Sequence, residues 1–193
     1  MTSDEVVAKI SRNKAFFQFS GGGLTVSGGE PMSQADFVTS IFEKAGAEGI
    51  HRALDTSGTL KADDAAKVLA HTDLLLLDVK STDPDRYKSL TKVSQERFWI
   101  MMDEAAKRNV PVWLRHVVVP GITDTLDEID GLKQLKCRYP NIEKIELLPF
   151  HKMGEYKWET LEFTYELADT PEMDKGRVAE MQAMLDAAQC NAG

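Results

Sequence analysis

The sequence predicts an α/β fold in which parallel strands are joined by right-handed helical crossovers. Apolar, strand-like runs recur at Leu24 to Ser27, Arg52 to Leu54, Leu74 to Val79, Val112 to Val119 and Lys144 to Leu148. Stretches with a helical period lie between them. An open sheet, a barrel and part of a barrel all satisfy this alternation. All three place ligands in the loops at the carboxyl ends of the strands.

The elements follow in order. The first strand sits in SGGGLTVSGGEP, Ser20 to Pro31, with glycine at both ends. Glycine there lets a bound molecule approach the main chain closely. Ser33 with Asp36 reads as a capping box, Phe37, Ile41 and Ala45 as the buried stripe of a helix, and Gly49 as its C-terminal stop. Phe98, Met101, Met102 and Ala105 repeat the helical spacing, as do Leu126, Ile129 and Leu132 behind Thr125 and Glu128. Thr170 and Pro171 are expected to open a last helix with Val178, Met181, Leu185 and Ala188 on one face. The methionines in these stripes read as core filler.

Length and charge narrow the class. A chain of 193 residues with 42% hydrophobic content suits one domain, 1–193, around one core. Its 23 basic and 31 acidic residues give a net charge of -8 without a basic block, which points to no nucleic acid and no membrane as partner. No apolar run approaches the roughly 20 residues of a bilayer span, and MTSDEVVAKI lacks the features of a secretory signal, so a cytoplasmic setting is expected. Cys137 and Cys190 are far apart and have no metal-ligand spacing, so two ordinary thiols are expected.

Every strand ends in polar chemistry. Gly28, Gly29 and Glu30 follow the first, Asp55, Thr56, Ser57 and Gly58 the second, Asp78 and Lys80 close the third, Arg115 lies on the fourth, and His151 follows the fifth. A period of two puts Asp78 with Lys80, and Trp113 with Arg115, on common faces. Taken singly, Asp78 and Lys80 fit a structural ion pair, Arg115 a partner for a carboxylate, His151 an exposed loop histidine, and Asp55 to Gly58 a turn. Taken together, their convergence on one rim suits a zwitterion that carries a sugar or base. Glu30 and backbone carbonyls would receive an ammonium group, while Lys80 and Arg115 would meet a carboxylate. S-Adenosylmethionine is such a molecule. Asp55 and Asp78 can also share a small cation. A phosphorylated substrate on an unrelated α/β enzyme fits less well, because the chain has no Gly-Lys phosphate loop.

GGGLTVSGGEP, LDTSG, LLLLDVK, VWLRHVVVPG and KIELLPFHKMGEYKW, in this order, resemble the pyruvate formate-lyase activating enzymes of the radical S-adenosylmethionine superfamily. The resemblance implies a partial (β/α) barrel of that superfamily's type, and an oxidoreductase. It assigns Gly28, Gly29 and Glu30 to the methionyl amino group and Asp78, Val79, Lys80 and His151 to the rest of S-adenosylmethionine. It puts Lys80 and Arg115 beside the cofactor and the glycine-bearing loop of a partner lyase. Asp55, Thr56 and Asp78 match positions that can hold a monovalent cation. In such enzymes a reduced 4Fe-4S cluster cleaves the cofactor to a deoxyadenosyl radical, which takes hydrogen from a glycine of the lyase. A flavodoxin- or ferredoxin-type reductant is the implied electron donor.

The family's cluster ligands form a C-x-x-x-C-x-x-C motif after its first strand, whereas this chain has no cysteine before Cys137. Five βα units are therefore expected, with the first unit missing and the chain truncated at its N-terminus. Two readings follow. Either catalysis belongs to a longer protein and this chain alone is inactive, or the chain is a non-catalytic module that binds S-adenosylmethionine or the lyase. Without a first unit the Leu24 to Ser27 strand would be an edge, which favours self-association.

Overall fold

The computed structural model describes residues 1–58, 62–160 and 162–187. Five parallel strands form one sheet in the order β1-β2-β3-β4-β5, with β1 Gly23–Val26, β2 His51–Thr56, β3 Leu74–Asp78, β4 Val112–Val118 and β5 Ile142–Pro149. Each expected strand is present with no end moved by more than two residues, β2 and β5 being longer than expected at both ends. Sequential order without a strand exchange is what successive right-handed crossovers produce. Leu24 pairs with Arg52 and Leu54 with Leu75, fixing the first three strands in register.

The chain resolves into two compact units. One comprises Met1–Asp78, Ser94–Leu114 and Tyr139–Lys144; the other comprises Val79–Val93, Arg115–Arg138 and the described part of Ile145–Gly193.

In the first unit, helix α1 (Ser3–Ser11) starts at a capping box in which Thr2 Oγ1 accepts from the Glu5 N–H and the Glu5 carboxylate accepts from the Thr2 N–H. It lies against α3 (Ala35–Ala47). Between them, α2 (Lys14–Ser20) buries no side chain and ends at Gly21 in the left-handed conformation. Neither α1 nor α2 was legible as an element, because their apolar residues form no wide stripe. Helix α3 buries Val38, Ile41, Phe42 and Ala45, so the stripe runs one residue away from Phe37, which is only half-buried. The expected Ser33–Asp36 cap is replaced: Ser33 belongs to a 3-10 turn over Pro31–Gln34 and donates to the Glu30 carbonyl at 2.7 Å. Gly49, at φ 71°, ends the segment as expected. Helix α4 (Ala62–Leu69) lies against α3 and α6 (Glu96–Lys107), and α6 buries Phe98, Met101, Met102 and Ala105 as the pattern predicts.

Arg52 and Asp73 tie the start of β2 to that of β3. The Arg52 guanidinium donates to both Asp73 oxygens at 2.6 and 2.7 Å, and its N–H adds a third bond at 2.9 Å. Partial burial raises the Asp73 pKa, but these bonds more than offset it and leave the carboxyl below its usual range.

In the second unit, α5 (Pro84–Thr91) begins with Asp83 capping the Arg86 N–H and Pro84 in the first turn. Helix α7 (Leu126–Arg138) buries Ile129, Leu132 and also Glu128, while Leu126 is exposed and does not belong to the buried stripe. Helix α8 spans Glu155–Thr160. The last helix, α9 (Lys175–Asp186), starts at Asp174, whose carboxylate caps the Arg177 N–H at 2.8 Å. That cap outcompetes the expected Thr170–Pro171 start. Val178, Met181 and Leu185 are its buried face, and Ala188 lies outside the described residues. Gln182 bridges α9 to β5 through the Ile145 carbonyl and the Leu147 N–H.

Cys137 is disulfide-bonded, which corrects the expectation of an ordinary thiol. Cys190 lies outside the described residues.

Candidate functional site

At the end of β1 the chain turns through Gly28 and Gly29 at φ 91° and 54°, conformations that side-chain-bearing residues rarely adopt. Both residues are exposed, and a Cβ on either would meet no atom within 4 Å. Space around these two backbones is therefore open to a ligand.

Glu30 follows and is engaged from four sides. Oε1 accepts from Thr56 Oγ1 at 2.6 Å and from the Met32 N–H at 3.1 Å; Oε2 accepts from the Ser57 N–H at 3.0 Å and Ser57 Oγ at 2.7 Å. A carboxylate offers about four acceptor positions, and all are used. Glu30 thus clamps the loop after β1 onto the loop after β2. Beside it, Ser27 Oγ donates to Asp55 Oδ2 at 3.0 Å, and Thr56 Oγ1 receives the Gly58 N–H at 3.0 Å. Gly28, Gly29, Glu30, Asp55, Thr56 and Ser57 consequently form one polar cluster within the first unit. Asp78 closes β3 half-exposed, in phase with Leu74 and Leu76 and out of phase with the buried Leu75 and Leu77.

No group of three or more His, Cys, Asp or Glu side chains that could hold a metal ion occurs among the described residues. Asp55 and Thr56 alternate across β2, Asp55 half-exposed and accepting from Ser27 Oγ, Thr56 buried with its hydroxyl donated to Glu30. On β4, Trp113 is exposed and its indole N–H donates to Glu143 at 3.1 Å, with Lys144 5.4 Å from the ring centroid. Those contacts account for Trp113 without a ligand.

In the second unit Val79 is fully buried. Its N–H donates to the Arg115 carbonyl at 2.9 Å, and its own carbonyl lies 2.9 Å from His116 Nδ1. Lys80 and Arg115 are half-exposed, and both have interaction partners, so neither is a bare charge. His151 is exposed, its Nδ1 accepting from the Met153 N–H at 3.3 Å.

His116 is a residue the strand-end pattern missed. It lies on the opposite face of β4 from Arg115 and is 1% exposed. A carbonyl can only accept, so Nδ1 carries the proton in the neutral ring. Burial lowers its pKa below the usual histidine value; the Val79 carbonyl and the charge of Glu128 oppose that, and Lys80 adds to it. Glu128 is the second omission, named in the sequence only beside the stripe of its helix and found buried against the loop after β3.

Comparison with known proteins now decides the family. Residues 1–132 match the model of the radical SAM superfamily. The pyruvate formate-lyase-activating enzyme of Clostridium pasteurianum is 38% identical over 96% of this chain and 77% of its own length. The enzyme of that name from Staphylococcus aureus is 39% identical over 90% of this chain and 72% of its own length. This chain belongs to the radical SAM superfamily, among its pyruvate formate-lyase-activating enzymes. The fold agrees: the crystal structure of a domain of pyruvate-formate lyase-activating enzyme from Bacteroides vulgatus superposes with a TM-score of 0.66 over 86% of this chain and 93% of that one, at 24% identity. A radical SAM methyltransferase from Sphaerobacter thermophilus superposes equally well, at 0.66, over 97% of this chain and 55% of that one, with 14% identity.

Among the described residues no helix is long and apolar enough to cross a membrane.

Proposed function

We propose that this radical SAM chain binds S-adenosylmethionine at the ends of its strands and serves the activation of a glycyl-radical lyase of the pyruvate formate-lyase type, in a cytoplasmic setting. The observation that carries the reading is the turn through Gly28 and Gly29, left open on its outer side and fixed by Glu30 on its inner side. Because the four acceptor positions of Glu30 are taken, the Gly28 and Gly29 backbones receive the methionyl ammonium group, and Glu30 supplies the negative charge behind them. Asp78, Val79, Lys80 and His151 complete the cofactor set, and Lys80 with Arg115 meets carboxylate groups of the cofactor or the lyase loop. Asp55, Thr56 and Asp78 are the place for a monovalent cation.

The finer activity, taking a hydrogen atom from a glycine of the lyase with electrons from a flavodoxin- or ferredoxin-type reductant, needs a 4Fe-4S cluster. The residues present do not fit one. Three thiolates at defined spacing are required, and the sequence holds only Cys137, which is disulfide-bonded, and Cys190. No radical step is therefore assigned to these residues; a second reading, a module that binds S-adenosylmethionine or the lyase without redox chemistry, uses the same strand ends.

Calorimetric titration of S-adenosylmethionine into the iron-free chain tests the shared part of both readings. Saturable binding is expected, and an Asp78→Ala, Lys80→Ala double variant is expected to lose it. Absence of binding by the unsubstituted chain would overturn the assignment.

Self-association is part of the proposal. Among the described strands β1 stands at the end of the sheet order with β2 as its neighbour, and Phe16 and Phe19, just before it, are 67% and 91% exposed. A terminal strand beside exposed aromatics favours pairing with a second copy. Sedimentation velocity is expected to show larger species growing with concentration; one monomeric boundary throughout would refute this.

A further inference from the structure

We propose that Glu128 is a positioning residue for Lys80, fastening the loop after β3 so that the lysine is presented in one place. The use of Lys80 on a ligand rests on the reading above; the fastening does not.

Glu128 sits in the first turn of α7, and its N–H donates to Thr125 Oγ1 at 3.3 Å as a capped helix would have it. Its side chain, however, leaves the helix. Fully buried, the carboxylate accepts from Ser81 Oγ, from the Thr82 N–H and Thr82 Oγ1, both at 2.8 Å, and from the Arg86 guanidinium. Burial raises its pKa, but these donors more than offset that and keep it lowered, so the group is held ionised. Ser81 Oγ also receives the Asp83 N–H at 3.1 Å, which carries the restraint to the start of α5.

The other side of Lys80 is tied as firmly. Val79 bonds through its N–H to the Arg115 carbonyl and through its carbonyl to His116. Positions 79, 81 and 82 are thus all fixed, by β4 on one side and α7 on the other. Lys80, between them, keeps a half-exposed side chain.

Gly131 supplies an independent observation. It lies one turn beyond Glu128 on α7, and a Cβ at that position would fall inside the Thr82 side chain. Glycine weakens a helix interior. Here its missing Cβ lets Thr82 come close enough to bond Glu128.

The test is a double-mutant cycle read by S-adenosylmethionine affinity. Glu128→Gln keeps the shape and removes the charge. It is expected to weaken binding roughly ten- to hundredfold, the range for a charge-assisted hydrogen bond lost. In a Lys80→Ala background the same substitution is expected to change nothing further, because its effect passes through the lysine. An equal loss in both backgrounds would mean a general structural role and overturn the proposal. Hydrogen exchange of the unliganded chain gives a second readout. Amides of Ser81, Thr82 and Asp83 should exchange faster in Glu128→Gln while those of β2 do not; unchanged exchange at 81–83 overturns the proposal whether or not the cofactor binds. A chain that binds no S-adenosylmethionine yet shows the exchange change refutes the functional reading and upholds the fastening. Should Glu128→Gln fail to fold, Thr82→Val, which removes one donor at similar shape, repeats both measurements.

Discussion

Glu30→Ala is expected to abolish detectable S-adenosylmethionine binding and to lower the unfolding free energy by about 2–3 kcal/mol. The two effects share one cause. The carboxylate gathers Thr56 Oγ1, the Ser57 N–H and Ser57 Oγ, and it also caps Met32 at the start of the 3-10 turn. Alanine leaves those donors to water or to nothing, and an unsatisfied partly buried donor costs about 1–3 kcal/mol. With the clamp gone, Gly28 and Gly29 lose the restraint that keeps their left-handed turn in place. Glycine regains the most backbone freedom of any residue, so the open cradle would spread over many conformations.

Glu30→Gln separates the clamp from the charge. Its single carbonyl oxygen still accepts from one side, but its amide faces donors where an acceptor stood. Urea denaturation is expected to place it between the unsubstituted chain and Glu30→Ala, with binding nearly lost because the negative charge behind the ammonium group is gone. Glu30→Ala at full stability with full binding would sink the assignment of this turn. A Gln variant that binds normally would show that the charge has no part in recognition.

This clamp also marks where the sequence stopped being readable. The position of Gly28, Gly29 and Glu30 after a strand was legible, as were all five strands and the buried faces of α6 and α9, because strand and helix periods are local. Partners were not. Nothing local says that Glu30 reaches 26 residues ahead to Thr56, or that Glu128 turns from its own helix to a loop 46 residues earlier. Glu128 three residues after Thr125 has the spacing of a cap, which its N–H obeys and its carboxylate does not. The true start of α9 at Asp174 was legible in principle, since aspartate leads as an N-cap, but Pro171 was the louder signal. His116 was passed over because it lies out of phase with Arg115, on the face where the sheet is otherwise apolar. A histidine on such a face is the one signal that could have found it.

That buried histidine makes stability depend on pH above the range where carboxylates titrate. His116 is neutral in the fold, because burial holds its pKa below the ordinary value of 6.5 despite the Val79 carbonyl and Glu128. In the unfolded chain it takes up a proton near that ordinary value. Between the depressed folded pKa and about 6.5 the unfolded state therefore binds more protons, so stability falls as pH falls, with a limiting slope of about 1.4 kcal/mol per pH unit for one proton. Glu128 and Asp73, also depressed, act in the same direction but only below their ordinary values of 4.5 and 3.8. Denaturant midpoints from pH 8 to pH 5 are thus expected to report on His116. His116→Asn should flatten the profile, since its side-chain amide can replace the Nδ1–H donor to Val79 without titrating. Parallel profiles for the two proteins would show that His116 has the same pKa folded and unfolded, so that its proton uptake makes no contribution to the loss of stability toward low pH.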